Sequence, residues 1–200
     1  MPFPSKDWIF QKLSGLRGFS YLLPIGLMAI ISYKETEDEF IIWPLGIGIA
    51  LLGAFIRLWG TKHIGRRMPW VKKKEKILIK TGPYAMVRNP LYIGNLFIAT
   101  GLSIVSELIW MVPFVILYLL IFYHLVVLHE ERKLSERWGG EYATYMKEVP
   151  RWIPRVNHLQ RAKEGGFEWR DALRSEIPSF HVNGLGLLIF VVKEILSDIR

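Results

Sequence analysis

The feature that most constrains the fold is a pair of apolar runs, residues 91 to about 106 and about 108 to 129, joined only by Ser106 and Glu107. Each run is about long enough to cross the hydrocarbon layer of a membrane as a helix. Because the connection is so short, the two runs should form an antiparallel helical hairpin. Both ends of such a hairpin lie on the same side of the membrane.

Three more apolar runs accompany the hairpin. Residues 18–33, in which Pro24 predicts a kink, and residues 40–59 precede it and are also about long enough to span a membrane. Residues 182–196 form a shorter run after a stretch, 156–180, that is charged and soluble in character. Hydrophobic periodicity does not decide whether this last run is a fifth membrane helix, a short or re-entrant helix, or an interfacial helix.

The chain is therefore predicted to be an all-α, polytopic membrane helical bundle with four to five transmembrane helices and a cytoplasmic C-terminal cap. It forms one domain over residues 1–200, with a core at 18–155 and a C-terminal extension at 156–200. Half of the residues, 51%, are hydrophobic and the mean hydropathy is +0.23, which is high for a soluble domain.

Charge predicts the orientation. The chain has a formal net charge of +8, and residues 60–90 are strongly basic, whereas Lys34 to Glu39 is an acidic turn. The positive-inside rule then places the basic loop, the N-terminus and the site in the cytoplasm. The charges flank apolar runs and no nucleic-acid motif is present, so we expect membrane lipid and no nucleic acid as a partner. The absence of cysteine excludes disulfides and thiolate metal sites.

Two boundaries inside the C-terminal half are also predicted. The second run of the hairpin should continue as a helix over 130–138 and end at Gly139-Gly140. Glu141 to Lys147 has the pattern of a short helix, and the following PRWIP should be extended because Pro disfavours a helical residue before it.

Candidate site residues lie at the two ends of the hairpin. Arg88-Asn89-Pro90 leads into its first helix, where Asn89 suits an N-cap, while Arg88 brings a fixed positive charge suited to a carboxylate or phosphate. Glu130 and Glu131 end its second helix, where a carboxylate opposes the helix dipole and is therefore expected to have another partner. A solvated helix end is the plain alternative for this pair.

Aromatic and histidine side chains complete the set. Tyr84 and Tyr92 suit interfacial anchoring, and they equally suit the walls of an adenine or cation site. His129 stands beside the carboxylate pair as a weaker candidate. The five histidines show no metal-ligand spacing, so no metal site is predicted.

Two motifs resemble a known family. GPYAMVRNPLYIG resembles the G-P-Y-x-x-V-R-H-P-x-Y-x-G pattern of isoprenylcysteine carboxyl methyltransferases, and EERKLSERWGGEYATYMKEVPRWIP resembles the tail that follows it in that family. Phospholipid methyltransferases share this layout. The resemblance covers about residues 77–155. Asn89 stands where the carboxyl methyltransferase pattern has His, and phospholipid methyltransferases carry Asn-Pro at that place.

The resemblance implies an S-adenosylmethionine-dependent membrane methyltransferase that acts on a lipophilic substrate entering from the bilayer. It makes Arg88 and Arg151 candidates for catalysis, substrate orientation or closure of the pocket. The cofactor candidates that it implies are Asn89, Tyr92, Glu130 and Glu131, and it implies that Tyr145 helps to close the pocket. With Tyr84 and His129, these residues make up the predicted cofactor site.

Several alternatives stay open at this stage. The methyl acceptor is a prenylcysteine-like carboxylate, which needs only orientation, or an amine, which needs a base such as Glu130, Glu131 or His129. Asn89 cannot be that base. The competing functions are an NADPH-dependent, sterol-reductase-like enzyme and a non-catalytic membrane scaffold or transporter. The sequence does not predict the oligomeric state.

Overall fold

The computed structural model describes residues 15, 17, 20–31, 39–64, 77–155 and 159–198. Residues 34–38 of the predicted acidic turn and residues 65–76, the centre of the basic loop, lie outside these residues. Within them every regular element is helical, with no strand, which confirms the all-α prediction. The helices are α1 (Leu22–Ile30), α2 (Glu39–Ile64), α3 (Pro90–Val105), α4 (Val112–Glu148), α5 (Leu159–Lys163) and α6 (Trp169–Asp198).

Among the described residues, three helices are long and apolar enough to cross a membrane: Phe40–Ile64, Ile109–Glu148 and Trp169–Leu196. Pro90–Val105 is a shorter apolar helix of 16 residues. Helix α1 has nine residues and rises roughly 14 Å, less than half of a hydrocarbon layer of roughly 30 Å. Pro24 lies in its first turn, where a missing N–H costs no helical hydrogen bond, so the kink predicted there is not seen.

The predicted hairpin is present as α3 and α4. Helix α3 ends at Val105, and Glu107 turns the chain with a positive φ of 65°. The indole nitrogen of Trp43 on α2 donates to the Glu107 carboxylate over 2.7 Å, which fixes this turn to the end of a third helix. Both open ends of the hairpin therefore lie together at the other end of the bundle.

Helix α2 packs very closely against α3 because both have glycines at the contact. A Cβ atom added at Gly46 would stand 2.7 Å from the Gly101 carbonyl oxygen, and one added at Gly53 would stand 2.6 Å from the Gly94 carbonyl oxygen. Such distances allow no side chain, so the two backbones touch directly. This contact sets where α2 meets the polar end of the hairpin.

Helix α4 is interrupted as the sequence predicts. Gly139 has φ 48° and ψ −120°, so the run Val112–Glu148 consists of two helices separated at that residue. The second helix carries Tyr142 and Tyr145, which pack with Val149 into a small core of their own. Residues 149–155 then follow without helix or strand, as expected for PRWIP.

The C-terminal extension differs from its prediction. Residues 169–198 form one continuous helix with Pro178 inside it, and Trp169–Leu196 is long and apolar enough to span a membrane. The apolar run at 182–196 is thus the second half of a longer helix, whose first half, from Trp169, belongs to the charged stretch 156–180. Phe190 on this helix joins the main core.

Candidate active site

The loop before α3 is tied to the tail that follows α4. The backbone N–H of Arg88 donates to the Pro150 carbonyl over 2.9 Å, and that of Arg155 donates to the Met86 carbonyl over 3.0 Å. The Tyr145 hydroxyl donates to the Tyr84 carbonyl over 2.8 Å. Two segments about sixty residues apart in sequence therefore meet at the open end of the hairpin.

Glu131 lies at the centre of this junction, between two arginines. Arg88 Nη2 is 2.9 Å from Glu131 Oε1, while Arg151 donates from Nε and Nη2 over 3.1 and 2.5 Å. The Glu131 side chain is only 9% exposed. Because the helix continues to the break at Gly139, Glu131 does not lie in a last turn, and its two arginine partners instead offset the cost of burying a carboxylate.

Arg88 also binds the end of the Tyr145 helix. Its Nη1 donates to the carbonyl oxygens of Met146 over 2.9 Å and Val149 over 3.2 Å. Last-turn carbonyls have no partner inside their own helix, so a guanidinium satisfies them well. Arg88 thus joins the loop, Glu131 and the tail into one unit that we call the arginine junction, made of Arg88, Glu131 and Arg151.

Asn89 does not act as the sequence predicts for a cap. It occupies the N-cap position of α3, with φ −125° and ψ 55°, but its side chain makes no capping hydrogen bond. Its amide nitrogen donates instead to the Arg151 carbonyl over 3.2 Å. The purely local explanation of Asn89 is therefore wrong, because its side chain holds the tail rather than the helix start.

A cavity of about 790 Å³ opens beside the arginine junction. Of the predicted site residues, Tyr84, Arg88, Asn89, Tyr92 and Glu130 line it. The other four do not: Glu131 and Arg151 lie in the junction, Tyr145 packs in the small core, and His129 is buried in the hairpin. The predicted pair of neighbouring carboxylates is thus split, one facing the cavity and one facing the arginines.

Glu130 is the carboxylate that the cavity presents. The Tyr92 hydroxyl donates to Glu130 Oε2 over 3.0 Å, and Arg17 forms an ion pair with Oε1. Tyr92 is itself held by stacking on Tyr123, with ring centroids 4.8 Å apart. The Tyr123 ring is fixed in turn by a 2.8 Å hydrogen bond from Ser20. Glu130 is therefore a held but still accessible acceptor, with 27% of its side chain exposed.

Two buried polar atoms of these residues have no hydrogen-bond partner among the described residues: the Tyr84 hydroxyl and Arg88 Nε. Both are buried and both residues line the cavity. A buried donor without a partner is costly, so such atoms in a native protein call for a specific explanation. Burial raises the pKa of Tyr84 above its ordinary value of 10.0, so its hydroxyl stays a neutral donor.

The opposite wall of the cavity carries a polar cluster that sequence reasoning missed. Arg57 on α2 contacts Glu176 on α6 through Nη2 over 2.8 Å and Nε over 3.2 Å. Thr61 donates to the other Glu176 oxygen over 2.7 Å, and Arg57 also donates to Asn95 and to Ser179. One signal was visible in the sequence, since Arg57 is a lone charge within an apolar run.

Within the part of the chain that the structure describes, no group of three His, Asp or Glu side chains is arranged to hold a metal ion. The polar lining of the cavity consists of guanidinium, carboxylate, amide and hydroxyl groups and the Lys133 ammonium. Its chemistry is therefore that of a site for a polar organic molecule carrying charges of both signs.

Comparison with known proteins now decides the family. A family model of phospholipid methyltransferases matches residues 41–141, half of the chain. The chain belongs to the phospholipid methyltransferase family. It is accordingly an integral membrane protein of methyltransferase type, with the matched region running from α2 through the hairpin to just beyond the break at Gly139.

Among the similar proteins is a nickel-cobalt-cadmium resistance protein, NccN, of Alcaligenes xylosoxydans xylosoxydans, 29% identical over 78% of this chain and 71% of its own length. The mouse Delta(14)-sterol reductase TM7SF2 is 29% identical over 70% of this chain. Protein-S-isoprenylcysteine O-methyltransferase of Schizosaccharomyces pombe is 29% identical over 55%. The chain spans less than half the length of these last two, 39% and 48%. No solved structure matches the chain at a significant level.

Proposed function

We propose that this protein transfers a methyl group from S-adenosylmethionine to a lipophilic acceptor at the cytoplasmic surface of the membrane. The observation that carries the proposal is the cavity itself. It is bounded by Tyr84, Asn89, Tyr92 and Glu130, residues of the two motifs that resemble membrane methyltransferases. It opens at the polar end of an apolar hairpin, where a polar cofactor and a lipid can both arrive.

The residues present fit that cofactor in size and chemistry. A cavity of about 790 Å³ falls within the roughly 300–1,000 Å³ of most small-molecule sites. S-Adenosylmethionine carries an ammonium group, a carboxylate, a ribose diol and an aromatic base. Glu130 suits the ammonium or the ribose hydroxyls, and the Asn89 amide suits oxygen or ring-nitrogen groups.

When bound, the cofactor supplies a methyl group for in-line displacement by a nucleophile. The contribution of this chain is to hold and orient, because such a displacement depends on alignment and on exclusion of water. The arginine junction fixes the loop that carries Tyr84 and Asn89, and the Tyr92–Tyr123 stack fixes the direction of the Glu130 carboxylate.

The geometry also ranks the candidate bases. An amine acceptor must lose a proton, and of the three bases that the sequence left open only Glu130 lines the cavity. Glu131 is saturated by two arginines, and His129 is buried in the hairpin. For an amine we therefore assign the proton to Glu130. For a carboxylate no base is required, and Glu130 acts only on the cofactor.

The alternative function is that of a reductase, since a sterol reductase is among the similar proteins. It requires a nicotinamide cofactor, whose two phosphates call for a cluster of free cations or exposed backbone N–H groups. In the described cavity wall the cations Arg17, Arg57 and Arg88 are already paired with carboxylates, which leaves Lys133 as the one remaining cation, fewer than the cluster that two phosphates call for. This pairing favours a cofactor without phosphates.

The test is calorimetric titration of the purified protein, in detergent, with S-adenosylmethionine and separately with NADPH. We expect binding of the first and not of the second, together with transfer of radioactive methyl into extractable lipid or a prenylcysteine analogue. Binding of NADPH alone would move the protein to the reductase class. Binding of neither would refute the proposal and leave a membrane scaffold or transporter.

A further inference from the structure

The Arg57–Glu176 cluster is an unusual feature for its position in the fold. Arg57 lies inside the apolar span Phe40–Ile64, and Glu176 lies inside the apolar span Trp169–Leu196. Their side chains are only 14% and 7% exposed. Buried charges are expensive, and within apolar spans they usually mark a pathway or a binding site. An ion pair that only joins two helices has no need to line a cavity, whereas Arg57 and Glu176 both line one.

Helix α3 contributes a residue to each of the two charged clusters of the cavity. Tyr92 donates to Glu130, while Asn95, one turn later, accepts from Arg57. One cavity therefore has two charged walls, each served by a different residue of the same helix. The Glu130 wall carries the motif residues that suit the cofactor. The other wall carries a second carboxylate and belongs to no motif that the sequence showed.

The second wall is also built partly from outside the matched family region. Ser175 and Glu176 come from α6, whereas the family match ends at residue 141. The reaction type is common to a family, and the acceptor differs between members. A wall contributed partly by a helix outside the matched region is therefore suited to select the acceptor. Its position in an apolar span also matches a molecule whose tail stays in the bilayer.

We propose that Arg57, Thr61, Ser175 and Glu176 form the acceptor subsite, in which they hold the polar head of a lipid while its methyl-accepting atom faces the cofactor side. This inference rests on the proposed function. Glu176 is a specificity-determining residue of that subsite, and Arg57 and Thr61 position it by their hydrogen bonds to its two oxygens.

The experiment measures acceptor and cofactor separately. Methyl transfer is followed with two probes, vesicles of phosphatidylethanolamine with phosphatidylglycerol and N-acetyl-S-farnesylcysteine, and S-adenosylmethionine affinity is measured by calorimetry. Glu176→Gln should raise the apparent KM for the methylated probe at least about tenfold, because loss of one member of a buried charge pair disturbs the acceptor head that the pair orients. The Kd for S-adenosylmethionine should stay within about twofold. That is a free-energy change well below the roughly 1.4 kcal/mol that a tenfold change needs.

The matched control is Glu168→Gln, the same chemical change at an exposed position just before α6, which should leave both constants unchanged. Thr61→Val is a second variant, close in shape, that removes only the hydroxyl donated to Glu176. It should raise the acceptor KM about fivefold, as expected for about 1 kcal/mol of hydrogen bond. It keeps the test decisive if Glu176→Gln does not fold.

The outcomes separate this inference from the proposed function. An unchanged acceptor KM in both variants, or an equal loss of cofactor affinity, would overturn the subsite. Binding of S-adenosylmethionine without methylation of either probe would also overturn it, while the cofactor assignment would stand. Failure of the unchanged protein to bind S-adenosylmethionine would overturn the proposed function itself.

Discussion

Replacing Glu130 and Glu131 by glutamine, one at a time, tests the division of labour between two neighbouring carboxylates. Glu131 joins Arg88 and Arg151 in the arginine junction, whereas Glu130 faces the cavity. We therefore expect Glu131→Gln to act on stability and Glu130→Gln to act on cofactor binding.

The magnitude for Glu131 follows from its burial. Breaking a buried ion pair by removing one partner costs about 3–5 kcal/mol, since the other charge is left uncompensated. Glutamine keeps one acceptor oxygen, and the Arg151 side chain is 29% exposed and partly hydrated, so the lower end applies, about 3 kcal/mol. For a chain of 200 residues each kcal/mol shifts Tm by roughly 2–4 °C, which gives a fall of roughly 6–12 °C.

Glu130→Gln should behave differently. Glu130 and its partner Arg17 are 27% and 22% exposed, so the pair is worth less than about 1 kcal/mol to the fold. Affinity for S-adenosylmethionine should fall at least about tenfold, because a charge-assisted contact in the cavity is lost.

The assay combines thermal unfolding in detergent with calorimetric titration of S-adenosylmethionine. Glu136→Gln is the matched control, since it removes an exposed carboxylate from the same helix, paired only with Arg132 at 3.8 Å. Its Tm should stay within about 1–2 °C of the parent value. Different roles for Glu130 and Glu131 would be contradicted if Glu131→Gln unfolds at the same temperature as the control, or if it weakens cofactor binding more than Glu130→Gln does.

Three further predictions follow from local geometry. Gly82→Ala should lower Tm by roughly 4–8 °C, about 2 kcal/mol, because φ is +61° there and an added Cβ collides with the His63 ring. Gly184→Ala, where an added Cβ would have nothing within 4 Å, should not lower Tm. Gly139→Ala, at φ +48°, should cost about 1 kcal/mol by removing a compatible left-handed residue from the helix break, seen as a smaller Tm shift. Because the pKa of Tyr84 is raised in the folded protein, the unfolded chain loses this proton first as the pH rises, and stability should decline above about pH 10. In Tyr84→Phe this part of the pH dependence of Tm should vanish. A decline of equal size in that variant would contradict the prediction.

The membrane fold was largely predictable from the chain. Apolar runs of near-spanning length, the short Ser106-Glu107 connection and Gly139 predicted the hairpin and the helix break that the structure contains. These features are local, because helix length and turn chemistry depend on residues close in sequence. The length of α6 was harder to predict, since the charged residues around Trp169 hid its first half.

The site was predictable in its residue types but not in its contacts. Asn89 has the sequence of a cap and instead binds the Arg151 carbonyl. Glu130 and Glu131 are adjacent and look equivalent, yet neighbouring residues of a helix point about 100° apart, so they meet different partners. Arg57 and Glu176 are more than a hundred residues apart, and nothing local indicates that they pair.

By itself the sequence determined that this chain is a helical membrane protein with a hairpin whose polar ends return to one side, because apolar length and turn residues fix those properties locally. Only the tertiary structure decided which carboxylate faces the cavity, which arginines are engaged, and that α6 supplies its second wall. Those outcomes depend on the angular position of each side chain and on how closely the glycines let α2 approach α3.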